Sequence, residues 1–132
     1  MEGWSKKKGE ETDMAQFLEK NRRYRKVGDC LVFYLAEELD HHAAERFREI
    51  SDSLIEKEQI KNIVFDFTGV KFMDSSGIGM LMGRYKKVMF SGGRAAVAGV
   101  GEVVDRIFLL SGLYKILEKY ETTEEALENM QK

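Results

Sequence analysis

The sequence predicts an α/β domain whose mixed, mostly parallel sheet follows an N-terminal hairpin and is flanked by about four α-helices. Three observations support this fold class. Short apolar runs that suit buried strands alternate along the chain with segments of helical periodicity. A turn signal joins the first two strand candidates closely, as in a hairpin. The 132 residues, 43% of them hydrophobic, supply enough material for one core but hardly for two.

The N-terminal residues 1–21 are expected to lie outside this domain, which then spans residues 22–132. They are rich in lysine and glutamate, and a charged composition of this kind is typical of a leader without a packed core. Disorder and a short helix capped near Thr12 are the two alternatives for this leader.

A hairpin and a helix are predicted next. Residues 24–27 and 30–36 are strand candidates that meet at a Gly-Asp turn signal. The second candidate is apolar at almost every position, which is typical of a strand covered on both faces of a sheet. Asp40 stands where a helix N-cap is expected, and apolar residues recur at helical spacing from Ala43 to about residue 57.

Strand and helix alternate again over the middle of the chain. Residues 63–67 predict a strand that ends at the Thr68-Gly69 pair, and a helix with one apolar face then runs to Gly92-Gly93. Arg84 and the neighbouring lysines are expected on the polar, solvated side of that helix.

Four further elements complete the predicted domain. Residues 95–98 predict a strand, and a helix follows until Gly112 stops it. Residues 115–117 form a short strand candidate. Thr122 with Glu125 three positions later has the form of a capping box, which opens a last helix.

The segment from Asp74 to Gly79 is the most informative stretch, because a strand-to-loop connection meets the start of a helix there. Backbone N–H groups and the positive end of the helix dipole gather at such a point and favour a bound or attached phosphate. A serine hydroxyl at that point is well placed to be phosphorylated. Local sequence alone favours the simpler interpretation, in which Ser75 or Ser76 only caps the helix.

Three enzymatic interpretations of this segment fail on its spacing. A P-loop requires a Gly-Lys-Ser/Thr ending, which is absent. A hydrolase nucleophile elbow requires glycine two positions before and after its serine, whereas Asp74 and Ile78 flank Ser76. The glycines that follow Ser76 miss the dinucleotide-binding spacing by one residue. We therefore expect no enzymatic site and no cofactor.

Composition restricts the partners and the compartment. A formal net charge of -2 leaves no excess for gripping nucleic acid or anionic lipid, and no apolar run is long enough to cross a membrane. Cys30 is the one cysteine, so nothing requires an oxidising compartment, and we expect a cytoplasmic protein.

His41 and His42 followed by Glu45 suggest metal binding. Adjacent side chains on one helix point apart, however, so a capped, solvated first turn is favoured over a metal site, and a partner interface stays open for either histidine.

Three segments of the chain resemble the STAS-domain anti-sigma-factor antagonists, and within that family the stage II sporulation type. They are Glu38-Leu39-Asp40-His41-His42-Ala43-Ala44-Glu45, then Phe72-Met73-Asp74-Ser75-Ser76-Gly77-Ile78-Gly79 with Gly83-Arg84-Tyr85-Lys86 downstream, and Ser111-Gly112-Leu113-Tyr114-Lys115-Ile116. The Asp-Ser-Ser-Gly motif with its downstream Gly-Arg-Tyr-Lys is highly specific for this group. The resemblance implies a STAS fold, which agrees with the order of elements above.

The resemblance also implies a mechanism and a site. In such proteins the second serine of the Asp-Ser-Ser-Gly motif, Ser76 here, accepts phosphate from the partner anti-sigma factor, which is also an ATP-dependent serine kinase. The unphosphorylated form binds that kinase and releases the sigma factor, phosphorylation ends the binding, and a serine phosphatase resets the switch. Asp40 and Asp74 are implied to lie near the phosphorylated serine. The following helix is implied to contribute to the partner surface, beginning with Ser75, Gly77, Ile78 and Gly79.

Two departures from the family and three alternatives stay open. Glu37 stands where the family usually has glycine, and the leader is longer than expected. The expected protein is a monomer and not an enzyme. The alternatives are a general stress-response antagonist paired with a different kinase, a small nucleotide-binding enzyme, and a structural subunit of a stressosome-like assembly.

Overall fold

The computed structural model describes residues 24–39 and 41–131, and for residues 36–39 it describes the backbone alone. Both alternatives for the leader concern residues outside this range. In the described part of the chain, five strands form one sheet whose strand order follows the chain order. The strands are β1 (Tyr24–Val27), β2 (Cys30–Leu39), β3 (Asn62–Met73), β4 (Ala95–Ala98) and β5 (Glu118–Tyr120). The pairing of β1 with β2 is antiparallel, and the other three pairings are parallel.

Helices cover both faces of the sheet. Over the same described residues they are α1 (His41–Lys57), α2 (Ser75–Phe90), α3 (Glu102–Ser111), a short 3-10 helix (Leu113–Lys115) and α4 (Thr123–Met130). Since side chains alternate across a strand, each face of the sheet builds its own core. Helices α1, α2 and α3 pack over Phe33 and Phe65, whereas α4 packs over Val32 and Val64. This arrangement confirms the predicted α/β class.

Turn and cap residues end several elements where the sequence predicts. Gly28 has a φ of +63° in the hairpin turn, a conformation that glycine adopts without strain. Gly112 has a φ of +79° and ends α3. The Thr122 Oγ1 atom accepts the N–H of Glu125 at 3.1 Å, which confirms the predicted cap of α4.

Strand β3 is longer than predicted. It continues through the Thr68-Gly69 pair to Met73, so the prediction that it ends at this pair is wrong. Its partner β2 likewise continues past residue 36, and the backbone of Glu37 belongs to it. The pairing of the two strands shifts register twice, each time with one extra residue in β3. The first shift lies between Asp66 and Gly69, so it includes Thr68.

Two further predictions are wrong. The strand expected at residues 115–117 is absent, because the chain after Gly112 turns into the 3-10 helix and the N–H of Leu117 donates to the Leu113 carbonyl at 2.9 Å. Strand β5 begins only afterwards. Arg84 does not lie on a solvated face: its exposed fraction is 3%, and it faces α1.

Candidate functional site

Parallel pairing brings the starts of α1 and α2 to one edge of the sheet. The last paired residues of β2 and β3 are Leu39 and Met73, and each strand leads into its helix at that edge. Because of this topology, the Nδ1 atom of His41 lies 3.1 Å from the Oγ atom of Ser76, although the two residues are 35 positions apart. The edge therefore joins an imidazole to the serine that the resemblance implies as the phosphorylation site.

Asp74 caps helix α2. It has extended backbone angles, and its Oδ1 atom accepts the N–H of Ser76 at 2.9 Å. The interpretation in which Ser75 or Ser76 caps the helix is therefore wrong. Because the carboxylate takes over the capping, the Ser76 hydroxyl stays available for His41 and for chemistry.

The other predicted site residues differ in accessibility. Ser75 and Gly79 are exposed, Gly77 is buried, and Ile78 is half-buried and packs on the core. Of these residues, Asp74 holds the backbone N–H of Ser76, and Gly79 lines the same cleft as Ser76. Asp40, the remaining predicted site residue, lies outside the described range, so its place near the site stays a prediction.

A cleft of about 180 Å³ separates the first turns of α1 and α2, and we call it the α1–α2 cleft. On α1 its residues follow helical spacing, so they share one face of that helix. The Nη2 atom of Arg48 lies 2.6 Å from the Oε2 atom of Glu45 within it. The residues that line the cleft are His41, Ala44, Glu45, Arg48, Ser76, Gly79 and Met80.

An ion pair between the two helices lies further along them. The Nε atom of Arg84 in α2 is 2.9 Å from the Oδ1 atom of Asp52 in α1. The N–H is not aimed at that oxygen, so the attraction is Coulombic and the pair lacks hydrogen-bond geometry. Burial lowers the pKa of the Arg84 guanidinium, and the Asp52 carboxylate opposes that shift. A second ion pair, between Lys87 of α2 and Glu56 of α1 at 3.1 Å, also links the two helices.

Sequence reasoning missed the roles of His41, Arg48 and Arg84. The sequence predicts for His41 a solvated first turn, with a partner interface or a metal site as the alternatives, and none of these includes a contact with Ser76. Its contact with Ser76 follows from two helices that begin after neighbouring parallel strands, and the sequence analysis predicts a mostly parallel sheet without a strand order. Arg48 stands two turns after His41 on the same face of α1, and that spacing was readable in the sequence.

The site offers a hydroxyl, an imidazole and charged groups. Among the residues that the structure describes, no group of three His, Cys, Asp or Glu side chains could hold a metal ion. Such an arrangement can present a serine to an enzyme that modifies it.

No helix within residues 41–131 is both long enough and apolar enough to cross a membrane.

Comparison with known proteins identifies the family. Residues 21–126 match the sequence profile of the STAS domain. The chain belongs to the STAS domain family. This confirms the resemblance and the STAS fold that it implied. A relative from Paenibacillus polymyxa, named anti-sigma F factor antagonist, is 39% identical over 101 residues, which cover 76% of this STAS chain and 86% of the relative.

Two solved STAS structures describe one kind of protein in two states. The anti-sigma factor antagonist SpoIIAA in its unphosphorylated form is 31% identical and superposes with a TM-score of 0.75, covering 83% of this chain and 95% of its own. The Bacillus cell fate determinant SpoIIAA in its phosphorylated form is 30% identical with a TM-score of 0.67, covering 81% and 96%. Relatives of this STAS chain are therefore anti-sigma factor antagonists, and they include one solved with and without phosphate.

Proposed function

We propose that this STAS protein is an anti-sigma factor antagonist whose binding is switched off by phosphorylation of Ser76. The observation that carries the proposal is a relative of the same fold, at about 30% identity, solved in both phosphorylated and unphosphorylated forms. The fold places one serine hydroxyl at a cleft between two helices, where a partner can reach it.

Ser76 is preferred over Ser75 as the phosphate acceptor. Both serines lie in the first turn of α2, and the resemblance to the family favours the second of them. The backbone N–H of Ser76 is held by Asp74 and its hydroxyl is held by His41, so its side chain is positioned from two sides. A fixed hydroxyl loses less freedom when a kinase binds it, which favours transfer.

The proposed partner is an anti-sigma factor that is also an ATP-dependent serine kinase. In the transfer, the Oγ atom of Ser76 forms a bond to the γ-phosphorus of ATP, and the bond from that phosphorus to the β–γ bridging oxygen breaks. ADP leaves, and the serine proton passes to solvent or to a base of the kinase. A serine phosphatase hydrolyses the phosphoserine and restores the hydroxyl.

Charge explains how phosphate changes docking without refolding. A phosphate adds roughly -1.5 to -2 charges at pH 7 next to the Asp74 carboxylate. The start of α2 stabilises that charge by about 0.3–1 kcal/mol at an exposed helix end. The partner surface meets a charge that the unphosphorylated protein lacks, and the complex with the kinase dissociates.

The proposed function also includes a compartment, an oligomeric state and the absence of catalytic activity. We propose a cytoplasmic monomer that has no catalytic activity of its own and binds neither nucleic acid nor membrane. Its near-neutral net charge of -2 supports the absence of nucleic-acid binding. Size-exclusion chromatography distinguishes the monomer from a stressosome-like assembly, and an assay of ATP and GTP hydrolysis by the isolated chain tests for a nucleotide-dependent enzyme.

Mass spectrometry tests the phosphorylation. The chain is incubated with ATP and the anti-sigma kinase of its host, and the wild type is compared with Ser76→Ala and with Ser75→Ala as the matched control. We expect one phosphate in the wild type and in Ser75→Ala and none in Ser76→Ala. A kinase that binds the chain but leaves Ser76 unmodified would remove the chemical basis of the switch.

A sigma-release assay tests the binding step. The unphosphorylated chain is expected to displace the sigma factor from the kinase, and the phosphorylated chain is expected to leave that complex intact. The identity of the kinase captured from the host separates a sporulation antagonist from a general stress-response antagonist.

A further inference from the structure

We infer that the α1–α2 cleft receives the phosphate of phosphorylated Ser76, which His41 and Arg48 of α1 then bind. This inference rests on the proposed function, since it requires phosphate on Ser76. It assigns to α1 the task of holding the phosphate within the molecule.

The first support is the position of the Ser76 hydroxyl. Its oxygen already lines the cleft and lies 3.1 Å from the Nδ1 atom of His41. A phosphate attached there brings three strong acceptor oxygens to the same imidazole. The cleft has room for the group: its volume is about 180 Å³, whereas a water molecule takes about 30 Å³ in the liquid.

The second support is the direction of the Arg48 side chain. Long side chains on a helix lean toward its N-terminus. The contact from Arg48 to Glu45, three residues earlier, shows that lean, so the guanidinium is directed toward the end of the cleft where Ser76 lies. A guanidinium has five donors in a planar fork that matches phosphate, so it can bind phosphate and keep a bond to Glu45.

Charges around the cleft both favour and oppose the phosphate. Glu45 lines the cleft and Asp74 caps α2 beside it, and both carboxylates repel a phosphate. Arg48 offsets the first carboxylate. His41 at the start of α1 supplies a donor where the helix dipole is positive.

This geometry gives the phosphate a structural consequence. The bound phosphate fills the α1–α2 cleft and accepts hydrogen bonds from the side chain of Arg48. A partner that docks across both helices then meets a cleft that the phosphate fills and a surface whose charge has changed. The backbone conformation stays the same.

The test measures the ionisation of the phosphate by ³¹P NMR. Phosphoserine is introduced at position 76 during translation, by suppression of a stop codon, so that no kinase is needed. The pH midpoint of the second phosphate ionisation is about 6 for ordinary phosphoserine. Four variants are compared with the phosphorylated parent. Arg48→Gln has Lys86→Gln as its control for charge, and His41→Gln has the adjacent His42→Gln as its control for residue type.

Removing a group that binds the dianion makes the second proton harder to lose. An opposite charge within about 4–6 Å shifts a pKa by about 1–3 units, and partial exposure reduces the effect. We therefore expect Arg48→Gln and His41→Gln each to raise the midpoint by about half a unit or more. The two controls are expected to stay within about a tenth of a unit, since their side chains do not line the cleft and salt screens distant charges.

Equal midpoints in the cleft variants and their controls would overturn the inference, because the phosphate would then point into solvent. All four substituted residues are exposed, so circular dichroism is expected to report the parent fold for each variant. This failure is distinct from failure of the proposed function. The NMR result does not depend on a kinase, whereas the proposed function fails when a bound kinase leaves Ser76 unmodified.

Discussion

The buried pair of Arg84 and Asp52 offers a quantitative test of what holds α1 beside α2. At their 2.9 Å separation and an effective dielectric constant of about 20, two unit charges attract by roughly 6 kcal/mol before desolvation is subtracted. The Arg84 side chain is only 4% exposed, and its Nη1 atom is buried without a hydrogen-bond partner among the described residues. Neutralising Asp52 therefore leaves the buried Arg84 cation without an opposite charge.

The size of the loss follows from the exposure of each partner. Removing one member of a fully buried pair costs about 3–5 kcal/mol. The Asp52 side chain is 31% exposed, so we expect Asp52→Asn to lower the free energy of unfolding by about 2–3 kcal/mol. Arg84→Met removes the charge and keeps apolar volume, and it is expected to stay within about 1 kcal/mol of the wild type.

Equilibrium unfolding in urea, followed by circular dichroism, measures both variants and the double variant. The double variant is expected to be about as stable as Arg84→Met alone, because Asp52 then has no buried cation to neutralise. The reasoning is refuted if Arg84→Met loses as much stability as Asp52→Asn. That result would mean that the ion pair makes a net contribution to stability, and that its attraction fully offsets the desolvation of the Arg84 guanidinium.

Three further predictions concern the cap, the glycines of α2 and acid stability. Asp74→Ala is expected to cost about 0.5–2 kcal/mol of unfolding free energy through loss of the cap, whereas Asp74→Asn keeps an acceptor and loses less, as urea unfolding would measure. A Cβ atom at Gly79 or Gly83 meets no atom within 4 Å, so alanine at either position is expected to stabilise the helix by roughly 0.5–1 kcal/mol. Only Gly79→Ala, which alters the cleft, is expected to weaken kinase binding in a titration. Hydrogen bonds from Arg94 hold the pKa of Glu118 below its usual range, so the stability from this carboxylate is present above its unfolded pKa. That stability is lost as pH falls through the lower folded value, and Glu118→Gln is expected to flatten the decline of the urea midpoint below about pH 4.3.

Much of the fold was predictable because local signals decide it. The hairpin turn at Gly28, the stop at Gly112 and the cap at Thr122 depend on residues within a turn or two of each other. The length of β3 was not predictable in this way. Its polar interruption at Thr68-Gly69 is tolerated only because β2 runs beside it and shifts register, and local sequence does not encode that pairing.

The site was predictable in part. The family resemblance supplied Ser76, whereas its hydrogen bond to His41 depends on which strands are neighbours. The burial of Arg84 has a local signal in the sequence. Arg84 stands three residues after Leu81 and four before Val88, and all three share the buried face of α2. Residue type nevertheless predicts exposure, because arginine is rarely buried without a partner and the partner here lies on another helix.

Strands β2 and β3 are the two longest described strands, and both extend beyond the end of β4. The pairing of β3 with β4 ends at Asp66 and Ala98, while β2 and β3 stay paired up to Leu39 and Met73, roughly 20 Å further at about 3.3 Å per residue. Ser76 therefore lies beyond the last residue of β4, at the end of the sheet that β2 and β3 build with the starts of α1 and α2. In a random-mutagenesis screen, we expect two spatially separate classes of defect. Substitutions of buried core residues reduce the cellular abundance of the protein, whereas substitutions of exposed residues around Ser76 leave abundance normal and alter the response to the proposed kinase.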